Sequence, residues 1–212
     1  PQGLDEIIYQ QLKYSGSILN FKLQFHVTNP NAFDEILDND CLKINTFPLK
    51  HRIDCTGFLI TKKSSKRKIL AEKLPENFPV TFFKMLKEGM DVHDELAGKT
   101  YKNSDYTIEG SHEKRLAYCS DTIFDESIVD YIKNADLLYH ESTFLEEQAE
   151  RAKFTFHTTA IQAATIAKTS NAKRLIIGHF SSRYKTSEQF LVEAKTVFED
   201  SFLAQEGENF II

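Results

Sequence analysis

No apolar run in this sequence approaches the roughly 20 residues that a membrane-spanning helix needs, so an integral membrane protein is not expected. No apolar core with a cleavage site follows Pro1–Gln2–Gly3, so no signal peptide is expected either. Cysteine is scarce and scattered: Cys41, Cys55 and Cys119 are odd in number, and none stands in a Cys-x-x-Cys pair. That argues against a structural zinc knuckle and a disulfide framework, and fits reduced thiols in a cytoplasm. An excess of positive charge is also lacking. Lys and Arg number 26 against 31 Asp and Glu, a formal net charge of -5. This does not mark a nucleic-acid binder, although a local basic patch would be hidden inside such an average. No internal repeat is present.

What is there is ordinary globular material, 41% hydrophobic and 27% charged, in a length of 212 residues that suits one good-sized domain or two small ones. Gly3 to Leu12 reads as a short helix with Leu4, Ile7, Ile8 and Leu12 on one side. The stretch Phe21 to Val27, "FKLQFHV", alternates apolar and polar residues with the period of a half-buried strand. "CLKINTFPLKH" and "CTGFLITKK" read as two further strands, the second ending in charge.

The segment from Lys62 to His112 is different. It carries "KKSSKRK", two prolines, several glycines and little sustained periodicity, with one short helical turn, Phe82 to Gly89, stopped by its glycine. A long stretch of this kind is usually disordered or a functional protrusion. Lys62, Lys63, Lys66, Arg67 and Lys68 read either as a solvated hairpin end or as a basic patch.

Beyond it the pattern turns α/β. "RLAYC", "ADLLYH" and "RLIIGHF" are continuous apolar strands. Between and after them, helices are predicted over Glu126 to Asn134, Ala160 to Lys168 and Glu188 to Phe198. The second is opened by a capping box, Thr159-x-x-Gln162; the third turns Phe190, Leu191, Ala194 and Val197 inward. Buried strands alternating with helices imply a sheet covered by helices.

Polar groups recur where these strands surface. Asp121 follows "LAYCS", His140 and Glu141 follow "DLLY", and His179 follows "LIIG". Carboxyl ends of strands in open α/β sheets are where ligands bind. A lone histidine is usually a satisfied structural residue, but several such groups at equivalent strand ends point to a site. Asp and His form the oxygen–nitrogen donor set of zinc or manganese. Asp121, a carboxylate able to touch two ions, is its natural centre. His157 opens "HTTAIQAA" before a helix cap, with two readings open: helix-start packing or a proton donor.

The run "YCSDT…ADLLYHESTF…FHTTAIQAATIAK…KRLIIGHFSSRY" resembles ribonuclease Z, the tRNA 3′-processing endonuclease of the metallo-β-lactamase superfamily. The matching stretches are Ser120-Asp121-Thr122, His140-Glu141-Ser142-Thr143, His157-Thr158-Thr159 and His179-Phe180-Ser181-Ser182-Arg183-Tyr184. "FPLKHRIDCTGFLI" resembles the family's stretch with a metal-binding histidine, here His51. The resemblance implies an αβ/βα sandwich of the metallo-β-lactamase fold and a metal-dependent phosphodiester hydrolase that removes the 3′ trailer from precursor tRNA. It implies two zinc ions, with Mn2+ or Mg2+ as alternatives, held in part by His51, Asp121 and His179. His157 would act as the acid, oriented by Glu141, with Ser182, Arg183 and Tyr184 against substrate phosphate or a nearby base. Residues 62–112 lie where the family inserts a flexible tRNA-gripping arm, which would give Lys62, Lys63, Lys66, Arg67 and Lys68 a substrate-binding role.

The family's first metal motif, His-x-His-x-Asp-His, occurs nowhere in these residues. The chain is therefore expected to be the C-terminal portion of a single metallo-β-lactamase domain, an incomplete form of that fold. By itself it would bind metal weakly or not at all, and its hydrolysis would be negligible. A strand edge left uncovered would favour a homodimer. Two other readings stay open: a small-molecule phosphodiesterase or arylsulfatase of the same superfamily, and a non-catalytic binding or dimerisation module.

Overall fold

The computed structural model describes residues 3–212. They form two compact units, one made of the residues up to Thr61 with Arg115–Ile212, the other of Lys62–Lys114.

The larger unit is built on a seven-stranded sheet whose strands lie side by side in chain order: Asp34–Asp38, Leu42–Leu49, Cys55–Lys62, Lys114–Cys119, Leu137–Glu141, Leu175–Gly178 and Ser201–Leu203. The first two pair antiparallel, with an irregularity between Glu35 and Leu37. The last four run parallel, each to the next. Parallel neighbours cannot be joined by a tight hairpin and need a crossover. The crossovers carry the helices Val129–Ile132, Ala160–Thr169 and Glu188–Val197.

Period-two alternation sorts the side chains of these strands. Ala117, Leu138, Leu175, Ile177 and Leu203 lie on one face and join the main core with Ala163, Ala164, Ala167, Phe190 and Ala194 of the two longer helices. The alanines let the Ala160–Thr169 helix lie close to the sheet. Its capping box forms as expected: Thr159 accepts from the Gln162 N–H, and the Gln162 side chain accepts from the Thr159 N–H. On the other face Tyr118, Tyr139, Ile176 and Phe202 stand in register across four strands. Tyr118 and Tyr139 stack at 4.6 Å, while Tyr118 and Phe202 are each 41% exposed. A glycine holds the sheet's other half together: a Cβ on Gly57 would fall 2.4 Å from the ring of buried Phe47, so only glycine lets that ring lie across its strand.

Three expectations need correction. Phe21 to Val27 forms no strand, because no strand among the described residues pairs with it; its alternation survives only as half-burial of Leu23 and Phe25, the latter edge-on to Tyr9. The helix expected over Glu126–Asn134 is a 3-10 turn, Glu126–Ile128, followed by one α turn, Val129–Ile132. Lys133 leaves helical geometry and Asn134 adopts a positive φ, which ends it. The first helix runs further than expected, Leu4–Ser15, yet buries none of its residues among those described.

The Lys62–Lys114 unit has its own small core of Phe78, Leu86, Val92 and Tyr101. Two short ladders, Lys68–Ile69 with Thr107–Ile108 and Val92–Asp94 with Lys99–Tyr101, frame the helix Phe82–Lys87. Gly89 closes that helix with φ 89°, the left-handed turn a helix end favours. Buried Asn103 ties the pieces together by donating to the Leu86 carbonyl and accepting from the Thr107 hydroxyl.

Candidate active site

Register places the strand-end groups together. Cys119 lies opposite His140, and Gly178 opposite Glu141. Asp121 and His179, just past their strands, therefore reach the level of Glu141. Both take left-handed backbone angles, φ 57° and 62°, and Phe156, just before His157, does too at 60°. Such conformations are uncommon outside glycine and cluster where a fold holds residues for function. Gly178 matters here: a Cβ at this position would meet the Tyr139 hydroxyl at 2.6 Å.

Alternation also separates the two members of the His140–Glu141 pair. His140 points into the protein, 1% exposed, with Nδ1 against the Glu141 carbonyl oxygen at 2.8 Å. Burial pushes its pKa down, so it is a neutral core residue. Glu141 points the other way and is equally buried, yet every side of its carboxylate is satisfied. Oε1 accepts from the Thr122 N–H and from His157 Nδ1, each at 2.8 Å. Oε2 accepts from the Thr143 hydroxyl at 2.5 Å and the Thr158 N–H at 3.2 Å. Burial alone would raise this carboxyl, but the hydrogen bonds from His157 and Thr143 outweigh it and hold the group below its ordinary pKa.

The loop bearing His157 is stitched to the same hub. His157 N–H closes on the Ala152 carbonyl at 2.8 Å, and the Thr158 hydroxyl donates to the Thr122 carbonyl at 2.6 Å. The hydrogen bond to Glu141 raises the His157 pKa; burial opposes it, and the charges of Glu141 and Asp121 reinforce it. His51 donates from Nδ1 to the Phe156 carbonyl oxygen at 3.0 Å. Carbonyl and carboxylate oxygens only accept, so His51 and His157 carry hydrogen on Nδ1. The rings of His51, His157 and His179 form a row, with centroids 5.2 and 5.4 Å apart.

Asp121, Glu141, His157 and His179 each offer a ligand atom within 4.8 Å of the others. The Asp121 carboxylate lies 3.3 Å from His179 Nε2, and both side chains are nearly half exposed. Glu141 is spent on its four donors, so the groups left to face an ion are Asp121, His179 and the Nε2 of His157, with His51 outside the 4.8 Å group but beside His157. Their oxygen–nitrogen chemistry fits a divalent ion such as zinc or manganese.

Arg183 and Tyr184 border a cleft of about 240 Å³ with Phe144, Glu147, Gln148 and Arg151. Tyr184 is anchored there, accepting from the Leu145 N–H at 3.2 Å and packing edge-on against Phe190. Ser182 is exposed on the same loop. The lysines expected to touch substrate belong to the other unit. Lys66, Arg67 and Lys68 line a 720 Å³ cleft with Lys87, Phe83 and Leu74, while Lys62 and Lys63 precede it. Lys66 also pairs with Glu88, and Arg67 donates to Thr107. Sequence reasoning gave no individual role to Thr122, Thr143, Thr158, Arg151 or Lys87. The hydroxyls and amides matter through tertiary hydrogen bonds, which no local pattern displays; Arg151 lies on a helix, Ala149–Thr155, that was not expected, and Lys87 ends a helix read only as a short turn.

Known proteins resemble this chain in sequence and in fold. A family model described as a beta-lactamase superfamily domain matches residues 71–180. Ribonuclease Z of Cytophaga hutchinsonii is 45% identical over 212 residues, covering 100% of this chain and 68% of its own. Ribonuclease Z of Phocaeicola vulgatus is 38% identical over 204 residues, 96% of this chain and 66% of its own. Among solved structures, human tRNase Z, short form, superposes with TM-score 0.60 at 22% identity, covering 97% of this chain and 63% of the other. A metallo-beta-lactamase fold protein from Bacillus subtilis superposes with TM-score 0.58 at 17% identity, covering 97% and 61%. The chain thus spans about two thirds of the length of these proteins.

Proposed function

We propose that this chain, which belongs to the ribonuclease Z family of the metallo-β-lactamase fold, serves a metal-dependent endoribonuclease that removes the 3′ trailer from precursor tRNA. The observation that carries this reading is the row of three imidazoles beside Asp121, two of them with Nδ1 committed to an acceptor.

His51, Asp121 and His179 would be this chain's share of the ligands for a centre of two zinc ions. A bound divalent metal supplies Lewis acidity that stabilises charge on the oxygens of the scissile phosphodiester. The chain's own groups do the rest. Water adds to the phosphorus as its bond to the 3′ oxygen breaks, and His157 gives its Nε2 proton to that oxygen, leaving the tRNA side with a 3′ hydroxyl and the trailer with a 5′ phosphate. Glu141 fixes the ring through Nδ1 and stabilises the imidazolium, the role of a carboxylate behind a catalytic histidine. Arg183, with Arg151 in the same cleft, takes a backbone phosphate near the cut, where a planar guanidinium can donate two bonds at once; Ser182 and Tyr184 flank it. Lys62, Lys63, Lys66, Arg67 and Lys68 grip the tRNA body by charge. Three unpaired thiols suit the cytoplasm, and the assembly is a homodimer, which sedimentation would test.

The functional reading is tested by offering the metal-loaded whole enzyme, this chain together with a His-x-His-x-Asp-His segment, a precursor tRNA and a small phosphodiester in parallel. Endonucleolytic release of the trailer is expected. Rapid hydrolysis of the small ester with the precursor left intact would replace the reading with a small-molecule phosphodiesterase.

A further inference from the structure

His179 differs from its two neighbours in the row. Its Nδ1 lies 2.9 Å from the Thr143 hydroxyl, and a hydroxyl can donate or accept. The choice is made one bond further away. Glu141 receives the backbone N–H groups of Thr122 and Thr158, which can only donate, so its carboxylate acts as an acceptor. Thr143 Oγ1 lies 2.5 Å from Glu141 Oε2. The one hydroxyl hydrogen is therefore committed to Glu141. Only lone pairs remain to face His179, and the hydrogen between the two must come from Nδ1.

We infer that Thr143 is a positioning residue that holds His179 in the Nδ1–H tautomer and leaves Nε2 bare toward Asp121. All three imidazoles then direct an Nδ1–H at an acceptor and turn Nε2 away from that partner. Bare Nε2 and the Asp121 carboxylate, 3.3 Å apart, are two electron-pair donors facing each other, an arrangement that a cation between them relieves. A partner that fixes the orientation of a metal-binding histidine typically changes metal affinity about 10–100-fold when removed. Thr143 sits at 7% exposure, which shields its hydroxyl from competing water. Glu141 thereby governs two histidines, His157 directly and His179 through one hydroxyl. The inference rests on reading His179 as a metal donor, but its test does not.

Nitrogen-15 spectra of the imidazoles in the metal-free protein at alkaline pH report which ring nitrogen carries hydrogen. In the unaltered protein Nδ1 of His179 is expected to be protonated; a bare Nδ1 overturns the inference whatever any variant does. Thr143→Val keeps the shape and removes the hydroxyl, so Nδ1 of His179 should lose its hydrogen, while Thr143→Ser should retain it. A valine variant that folds and keeps the Nδ1 hydrogen would show that Thr143 only fills space. Because no metal or substrate is present, the result stands apart from the proposed activity, whose own failure would appear as an uncut precursor tRNA.

Discussion

The strand-end site and the Lys62–Lys114 unit use polar residues in opposite ways. At the strand ends, Glu141 is 0% exposed, holds four donors, and sits among three residues with left-handed backbone angles. In the Lys62–Lys114 unit, Lys62, Lys66 and Lys68 are exposed, and Lys66 has the surface carboxylate of Glu88 for company. The contrast suits the two tasks proposed for them. Bond breaking needs donor atoms held to a fraction of an ångström, so the fold spends buried hydrogen bonds on them. Gripping a polyanion needs charge near its phosphates, and that tolerates mobile side chains.

The sharpest way to break this contrast is to remove Asp121, the proposed metal donor. In the whole enzyme Asp121→Ala is expected to abolish cleavage and deplete bound metal, with little change in the melting temperature of the metal-free form because the side chain is nearly half exposed. Metal analysis, a cleavage assay and a thermal melt check it; two retained metals with near-normal cleavage would make Asp121 structural. His157→Ala comes next. General acid catalysis typically contributes about 10²–10⁴-fold, so the rate should fall by that order while metal content holds. A sulfur leaving group at the 3′ position needs less protonation and should recover much of the rate. Loss of metal, or no recovery with sulfur, would remove His157 from the acid role.

The same contrast explains what the sequence displayed. Strand-end residues such as Asp121 and His179 stand out because an apolar run stops beside them, a one-dimensional signal. The capping box at Thr159 was readable for the same reason. Thr143 was not: its partners, Glu141 and His179, are brought to it by the sheet, and a buried hydroxyl looks like any other threonine in sequence. The Phe21–Val27 alternation was real, but a strand exists only where another accepts its backbone bonds. The core of the Lys62–Lys114 unit escaped because Phe78, Leu86, Val92 and Tyr101 come from different short pieces with no shared period.

A smaller effect is expected in that second unit. Neutralising Lys66, Lys68 and Lys87, all at one cleft, should weaken binding of precursor tRNA and flatten its dependence on salt, by roughly one unit of slope for each phosphate left without its cation. Hydrolysis of a small phosphodiester should stay unchanged, since it is too short to need this grip. Binding titrations at several salt concentrations, beside a small-ester assay, separate the two. Equal losses on both substrates would mean that these charges support the fold or the chemistry instead.

The smallest effect concerns a carboxylate that is well covered but plays no part in the chemistry. Asp125 caps the turn after Asp121, accepting from the Ser127 N–H at 3.1 Å and its hydroxyl at 2.8 Å, and it pairs with Lys50 at 3.0 Å. Burial works to raise its pKa, but the bonds from Ser127 and Lys50 together hold it below the ordinary value. A folded pKa below the unfolded one, about 3.9 for aspartate, means that the folded state favours the ionised form. The resulting stability is present above the unfolded pKa and disappears as pH falls through the folded one. Asp125→Asn keeps a capping oxygen and loses the charge, so it should be modestly less stable than the parent at pH 7. The gap should narrow as pH drops below about 4. With no tryptophan in the sequence, urea unfolding followed by circular dichroism is the suitable measurement. A gap that persists unchanged in acid would assign the loss to altered packing, and a fall in cleavage rate at neutral pH without loss of fold would move Asp125 into the site.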